Sequence, residues 1–189
     1  AEPWKDGDVG NGVIVAGEIR GVGQMAIDDD RHIRMLIRNV VFGLGVKDVG
    51  EAKDGQTGLE VMAEFSPNLV LCDLKMEPMD GLEFVHQVRT DPDNPHRLVP
   101  IIMVTAYADM EAITGARDTG VNEFMAKPIS AAALEKRIRH VLEDPRGFVE
   151  AEQFAGPDRR RGKKASADEP ERREHEAKII TPPPPPPKE

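Results

Sequence analysis

The sequence predicts an α/β fold in which a five-stranded parallel sheet is covered by helices on both faces. Short apolar runs alternate five times with stretches in which apolar residues recur every three or four positions. The runs at 69–71 and 101–104 are apolar without a break, which is typical of strands buried on both faces. Because the connections are short, successive strands are expected to run parallel with a helix between them.

The repeating part spans residues 21–143, a usual size for one such domain. Strands are expected at 23–27, 46–52, 68–73, 100–106 and 121–126. Apolar stripes predict four helices between and after these strands. In chain order, the stripes are Ile33, Leu36, Ile37, Val40, Val41 and Leu44 for the first helix; Leu59, Met62 and Phe65 for the second; Leu82, Val85 and Val88 for the third; and Leu134, Ile138, Val141 and Leu142 for the last. Ser130 is expected to cap the last helix, and a helix of low hydrophobicity is expected at 109–119.

Both flanks of this domain have a different composition. Residues 1–20 contain four glycines and are expected to form a loose N-terminal extension, with at most a short strand at 13–16. Residues 144–189 carry ten basic and ten acidic residues, a basic cluster at 159–164 and six prolines at 182–187. With Phe148, Val149 and Phe154 as its few early apolar residues, this segment is expected to be a disordered charged and proline-rich tail.

Composition narrows the function classes. The net charge of −9 makes nucleic-acid binding by the main body unlikely, and one cysteine rules out an intramolecular disulfide. That residue, Cys72, is expected to be a small core residue, and Asp30 is expected to cap a helix. No apolar run approaches a membrane span, and the first residues lack a signal pattern, so a soluble cytoplasmic protein is expected.

Chemically useful side chains follow the predicted strands. Asp28 and Asp29 follow the first strand, and Asp73, Thr105 and Lys127 follow or end the third, fourth and fifth strands. In a parallel sheet these ends lie at one edge, where open α/β sheets bind ligands. Clustered carboxylates repel one another unless a cation neutralises them, and Mg²⁺ is suited to that task. Taken by itself, an aspartate in the position of Asp73 is more often a turn-initiating or helix-capping residue, and the other strand ends reverse that preference.

This arrangement predicts phosphoryl chemistry. Asp73 is expected to act as a nucleophile that forms an acyl phosphate. Mg²⁺ and Lys127 would neutralise the transferring oxygens, and Thr105 would donate a hydrogen bond to one of them.

The chain resembles the receiver domain of bacterial two-component response regulators, of the stand-alone chemotaxis type. The resemblance covers residues 22–143. It rests on five features: the acidic pair Asp28-Asp29 with Arg34; Asp73 with Met76, Met79, Asp80 and Gly81; Thr105-Ala106; Phe124; and Lys127-Pro128. It implies a flavodoxin-like (βα)5 fold with strand order 2-1-3-4-5 and a cis bond before Pro128.

The resemblance also implies roles for particular residues. Asp73 would receive the phosphoryl group from a histidine kinase or a histidine phosphotransfer protein. The Mg²⁺ ligands would be Asp28, Asp29, Asp73 and the backbone carbonyl of Lys75, and the switch residues would be Thr105 and Phe124. The face built from the helix at 109–119, the strand at 121–126 and the last helix would then control a protein partner, with a phosphorylation-linked dimer as a further expectation. Such a protein is not an enzyme beyond its own phosphoryl transfer and dephosphorylation.

Several residues depart from the family pattern. The first strand is poor in β-branched residues, and Glu77 occupies a position where proline is usual. Lys75 and Tyr107 stand two residues after Asp73 and Thr105, and we hypothesise that they slow the loss of the phosphoryl group. Three alternatives remain open: a haloacid-dehalogenase-type phosphatase, which Asp28-x-Asp30 suits but His32 does not; a regulator that binds nucleic acid through its tail; and a scaffold whose phosphorylation is incidental.

Overall fold

A computed structural model describes residues 13–15, 18–20, 23–106, 120–143, 147–151, 154–157 and 178–180. The helices are α1 (Arg31–Gly43), α2 (Gly55–Phe65), α3 (Gly81–Thr90) and α4 (Ala131–Glu143). The strands are β1 (Val13–Val15), β2 (Glu18–Arg20), β3 (Gln24–Ile27), β4 (Val49–Ala52), β5 (Leu69–Asp73), β6 (Ile101–Ala106), β7 (Glu123–Lys127), β8 (Phe148–Ala151), β9 (Phe154–Pro157) and β10 (Lys178–Ile180). The helix predicted at 109–119 lies outside the described residues.

The central sheet has five parallel strands in the order β4-β3-β5-β6-β7. Counted from β3, this is the order 2-1-3-4-5, so the predicted flavodoxin-like topology is confirmed. Asp73 pairs with Val104, and Lys127 pairs with Ala106, so the polar ends of three strands reach the same edge.

Side chains that alternate along the strands form two apolar layers. On one face, Met25, Val70 and Met103 belong to a cluster with Phe84 of α3 and Met62 of α2. The other face packs against α1 and α4, through residues that include Ala26, Leu71, Val104, Ile37 and Leu134. Helices therefore cover both faces, as predicted, and Cys72 is fully buried in the first layer. Each fully buried large side chain contributes roughly 1.5–3 kcal/mol.

Side-chain oxygens satisfy the free N–H groups at the helix starts. The Asp30 carboxylate accepts a hydrogen bond from a backbone N–H of α1 at 2.7 Å, and the Ser130 hydroxyl accepts one from α4 at 3.2 Å. Both predicted caps are thus confirmed. Asp54 and Asp80 form reciprocal capping boxes at the starts of α2 and α3.

One residue of the predicted α1 stripe is placed differently. Leu36 is exposed, as are Met35 and Phe42 of the same helix. Ile37 and Val41 are buried. At 100° per residue, Leu36 lies at the margin of the face that these two residues turn toward the sheet.

Short strands also occur in both flanking segments. β1 and β2 pair antiparallel, and β8 pairs with β9 and β10 to give a three-stranded antiparallel sheet. In the C-terminal segment, where a disordered tail is expected, Phe148 of β8 buries its ring against the body of the domain. The basic cluster at 159–164 and the prolines at 182–187 lie outside the described residues. Among the described helices, none has the length and apolar character needed to cross a membrane.

Candidate functional site

Asp73 lies at the carboxyl end of the middle strand of the sheet. The four residues before it in β5 are fully buried, and Asp73 itself is 6% exposed. β3 and β6 flank this strand on either side, so the side chain sits between two neighbouring strand ends. The apolar run thus carries a carboxylate to the floor of a site at the sheet edge.

Lys127 joins two carboxylates at this edge. Its Nζ lies 2.9 Å from Oδ2 of Asp28 and 3.0 Å from Oδ1 of Asp73. The Asp28 side chain is 1% exposed, whereas the Lys127 side chain retains 26% exposure. Residues almost a hundred positions apart in the chain therefore meet through one ammonium group.

The pKa shifts have clear physical causes. Burial raises the pKa of Asp28, and the hydrogen bonds from Lys127 and from the Asp30 N–H offset part of that rise. Burial also acts to lower the pKa of Lys127, but the hydrogen bonds to Asp28 and Asp73 outweigh it, so this pKa is raised. Lys127 is therefore firmly charged at neutral pH.

Asp28, Asp29 and Asp73 form a cluster of hard oxygen donors. A carboxylate oxygen from each lies within 4.8 Å of the others, and Asp29 is exposed to solvent. Three carboxylates facing one ammonium leave an excess of negative charge at the edge of the sheet. These residues fit a small divalent cation such as Mg²⁺, which binds through a few carboxylates and keeps several waters.

Three further predicted site residues, Thr105, Phe124 and Lys75, lie in the described part of the chain. Thr105 is 1% exposed near the end of β6, and Phe124 of β7 is half-buried against the cluster that contains Met103. The Lys75 side chain is exposed. The switch roles of Thr105 and Phe124 and the Lys75 carbonyl ligand stay predictions. Tyr107 lies outside the described residues.

The loop after Asp73 is held close to the strand end. The Gly81 N–H donates to the Leu74 carbonyl at 2.8 Å, and a Cβ at Gly81 would overlap the Asp73 carbonyl oxygen. The predicted cis bond before Pro128 is present, and the bond before Pro78 is also cis.

Glu51, near the end of β4, has a role beside the site that is not predicted from the sequence. Its carboxylate lies 3.6 Å from Nε of Arg34 and 3.2 Å from Nη1 of Arg38, so it ties β4 to α1 beside the acidic pair. An acidic residue in a strand has no distinctive local pattern. The two arginines one helical turn apart were the available signal.

The chain is similar in sequence to proteins of known family. Residues 25–139 match the model of the response regulator receiver domain family. The chain is 31% identical over 119 residues to the chemotaxis protein CheY-3 of Vibrio cholerae, covering 63% of this chain and 90% of that protein. It is 32% identical over 123 residues to the chemotaxis protein CheY of Pseudomonas aeruginosa, covering 65% and 98%.

A solved structure is also similar. The chemotaxis response regulator CheY4 of Vibrio cholerae superimposes with a TM-score of 0.58 at 26% identity, covering 64% of this chain and 98% of that one.

Proposed function

The chain belongs to the response regulator receiver domain family, and we propose that Asp73 is its phosphoacceptor. The observation that carries the proposal is the Lys127 ammonium, held within 3.0 Å of Asp73 and 2.9 Å of Asp28 at the edge of the sheet. A histidine kinase or a histidine phosphotransfer protein would donate the phosphoryl group, and the protein would act in the cytoplasm.

The transfer is a displacement at phosphorus. A carboxylate oxygen of Asp73 forms a new bond to phosphorus while the bond from phosphorus to the donor's imidazole nitrogen breaks, and the imidazole keeps the electron pair. Lys127 remains beside the accepting carboxylate and offsets the negative charge of the incoming oxygens. Thr105 would donate its hydroxyl hydrogen to one of these oxygens. Asp28, Asp29, Asp73 and the Lys75 carbonyl would hold Mg²⁺, which supplies further charge neutralisation when bound.

The output is a change in protein contacts. Engagement of Thr105 by the phosphoryl group would draw it toward Asp73 and allow Phe124 to turn inward from its half-buried position. The face that residues 109–119 are predicted to form with β7 and α4 would then favour a protein partner or a dimer. Catalysis is confined to the protein's own phosphoryl transfer and dephosphorylation.

Intact mass spectrometry tests the proposal. The protein is incubated with acetyl phosphate and Mg²⁺, and Asp73→Asn serves as the matched control. We expect the wild type to gain the mass of one phosphoryl group and the variant to gain none. Equal gain by both proteins would reject Asp73 as the acceptor, and sustained turnover of a phosphomonoester would instead favour a phosphatase.

A further inference from the structure

The acidic loop, residues 28–30, is held through its backbone. The Asp28 N–H donates to the Ala52 carbonyl at 3.2 Å, and the Asp30 N–H donates to Oδ1 of Asp28 at 2.9 Å. Within the described part of the chain, the exposed Asp29 carboxylate makes no hydrogen bond or ion pair. The position of Asp29 in the carboxylate cluster is therefore set by the main chain that carries it.

Arg34 binds that main chain directly. Its Nη1 donates to the carbonyl oxygen of Asp28 at 2.6 Å and to that of Asp29 at 3.3 Å. The side chain is 17% exposed, and its Nε faces Glu51 at 3.6 Å. A guanidinium presents its donors in a rigid fork. Because Glu51 holds the Nε side of this fork, the Nη1 side fixes where the carbonyls of Asp28 and Asp29 lie.

Arg38 provides a natural comparison. It lies one turn further along α1 and pairs with the same Glu51 carboxylate at 3.2 Å. Among the described residues, Arg38 contacts Glu51 and the Phe42 ring and makes no hydrogen bond to the acidic loop. The two arginines thus share an anchor but differ in their contact with the loop.

We propose that Arg34 is a positioning residue for the cation site: by holding the carbonyls of Asp28 and Asp29, it keeps their carboxylates placed to bind a divalent cation together with Asp73. The inference rests on the proposed function, in which these three residues hold Mg²⁺. Residues that orient metal ligands from behind commonly change metal affinity by about 10- to 100-fold when replaced.

When Arg34 is replaced, loss of its charge and loss of its contacts with the loop predict opposite changes in the affinity for a cation. Removing a positive charge near the cluster would, through Coulomb's law alone, tighten the binding of a cation. Loss of the carbonyl contacts would instead loosen it, because the acidic loop could move. The sign of the change therefore separates the two explanations.

Isothermal titration calorimetry with Mg²⁺ alone, without a phosphodonor, tests the inference on the full chain. We expect Arg34→Gln to raise the Kd about tenfold. Arg38→Gln should stay within about twofold of the wild type, since Arg38 does not touch the loop. Arg34→Lys keeps the charge but not the fork, and it should also weaken binding. It serves as the test variant if Arg34→Gln does not fold, as judged by circular dichroism.

The outcomes distinguish this inference from the function on which it rests. Wild-type binding of Mg²⁺ with an unchanged or lower Kd in Arg34→Gln would overturn the positioning role and leave the cation site intact. Equal weakening by Arg34→Gln and Arg38→Gln would also overturn it, because the effect would then come from Glu51 or from general charge. Failure of the wild type to bind Mg²⁺ would reject the cation site itself, and the inference with it.

Discussion

At the scale of single residues, Lys127 determines the charge state of the site. It holds one ammonium group between Asp28 and Asp73, and the Asp28 carboxylate is almost fully buried. Burial raises the pKa of Asp28. Without the Lys127 ammonium beside it, the Asp28 carboxylate would be protonated more readily. The free protein thus uses Lys127 to keep two carboxylates together.

Lys127→Met should destabilise the protein in a pH-dependent way. Leaving the buried Asp28 without its partner should cost about 2 kcal/mol of unfolding free energy at pH 7 without divalent cations. The pKa of Asp28 in the variant would be raised further, so the native state would bind a proton more readily than the unfolded state. Its stability should therefore increase as pH falls toward the raised pKa, and the deficit should shrink at pH 5. Urea unfolding at both pH values measures this.

A matched variant controls for loss of a surface charge. Lys47 is exposed, and Lys47→Met should change the unfolding free energy by less than about 0.5 kcal/mol at either pH. A Lys127→Met deficit that is the same at pH 7 and pH 5 would contradict the assigned role of Asp28.

At the scale of elements, the start of α3 packs directly behind the end of β5. Gly81 is buried, and its N–H bonds the Leu74 carbonyl, so there is no room for a Cβ beside the Asp73 carbonyl oxygen. The requirement at this position is steric, since the neighbour is backbone that cannot rotate away.

Gly81→Ala should therefore push α3 away from the end of β5. We expect a loss of about 2–3 kcal/mol of unfolding free energy, measured by urea denaturation. Gly43→Ala is the matched control, because a Cβ there meets nothing within 4 Å at the end of α1. That change should be neutral or stabilise by roughly 0.5 kcal/mol. Similar effects of the two substitutions would refute the packing argument.

The elements also show how far the sequence predicts the structure. β5 and β6 were recognisable because strands buried on both faces are apolar without a break. β3 is a poor strand by composition, yet all four of its residues are buried, because it lies between β4 and β5. The neighbouring strands determine that these residues form a strand, and the β-propensity of the residues themselves does not indicate those neighbours. The cluster of site residues was predictable because the carboxyl ends of parallel strands lie at one edge of the sheet. The contacts of Glu51 and Arg34 were not, because they depend on how far side chains extend from one element to another.

At the scale of the whole molecule, the domain extends beyond the part shared with its relatives. The family match ends at residue 139, but Phe148 of β8 is 5% exposed and covers Arg89 of α3, with 5.0 Å between the guanidinium carbon and the ring centroid. Arg89 donates to the carbonyls of Arg97, Val99 and Gly120 and to the Asn122 side chain. Burial lowers the pKa of Arg89 to about 9, so the group is still charged at pH 7.

This contact could not be predicted from the charge pattern of residues 144–189. Alone, the segment has too few apolar residues to form a core. The rest of the domain supplies the surface against which this segment packs. A desolvated cation over an aromatic ring, as at Arg89 and Phe148, can contribute about 2 kcal/mol to stability.

Phe148→Ala should cost about 3 kcal/mol of unfolding free energy. Val149 is half-buried and lies on the opposite side of β8, so Val149→Ala should cost less than about 1 kcal/mol. Urea unfolding of both variants makes the comparison. A Phe148→Ala protein as stable as the wild type would show that β8 contributes little to the domain.

We propose that Asp73, and no other carboxylate of the cluster, carries the phosphoryl group. Borohydride reduces an aspartyl phosphate to an alcohol, so peptide mass mapping after treatment with acetyl phosphate and Mg²⁺ locates the modified residue. We expect the reduced residue at position 73 and unmodified aspartates at 28 and 29. Reduction at either of those positions, or an unmodified Asp73 in phosphorylated protein, would contradict it.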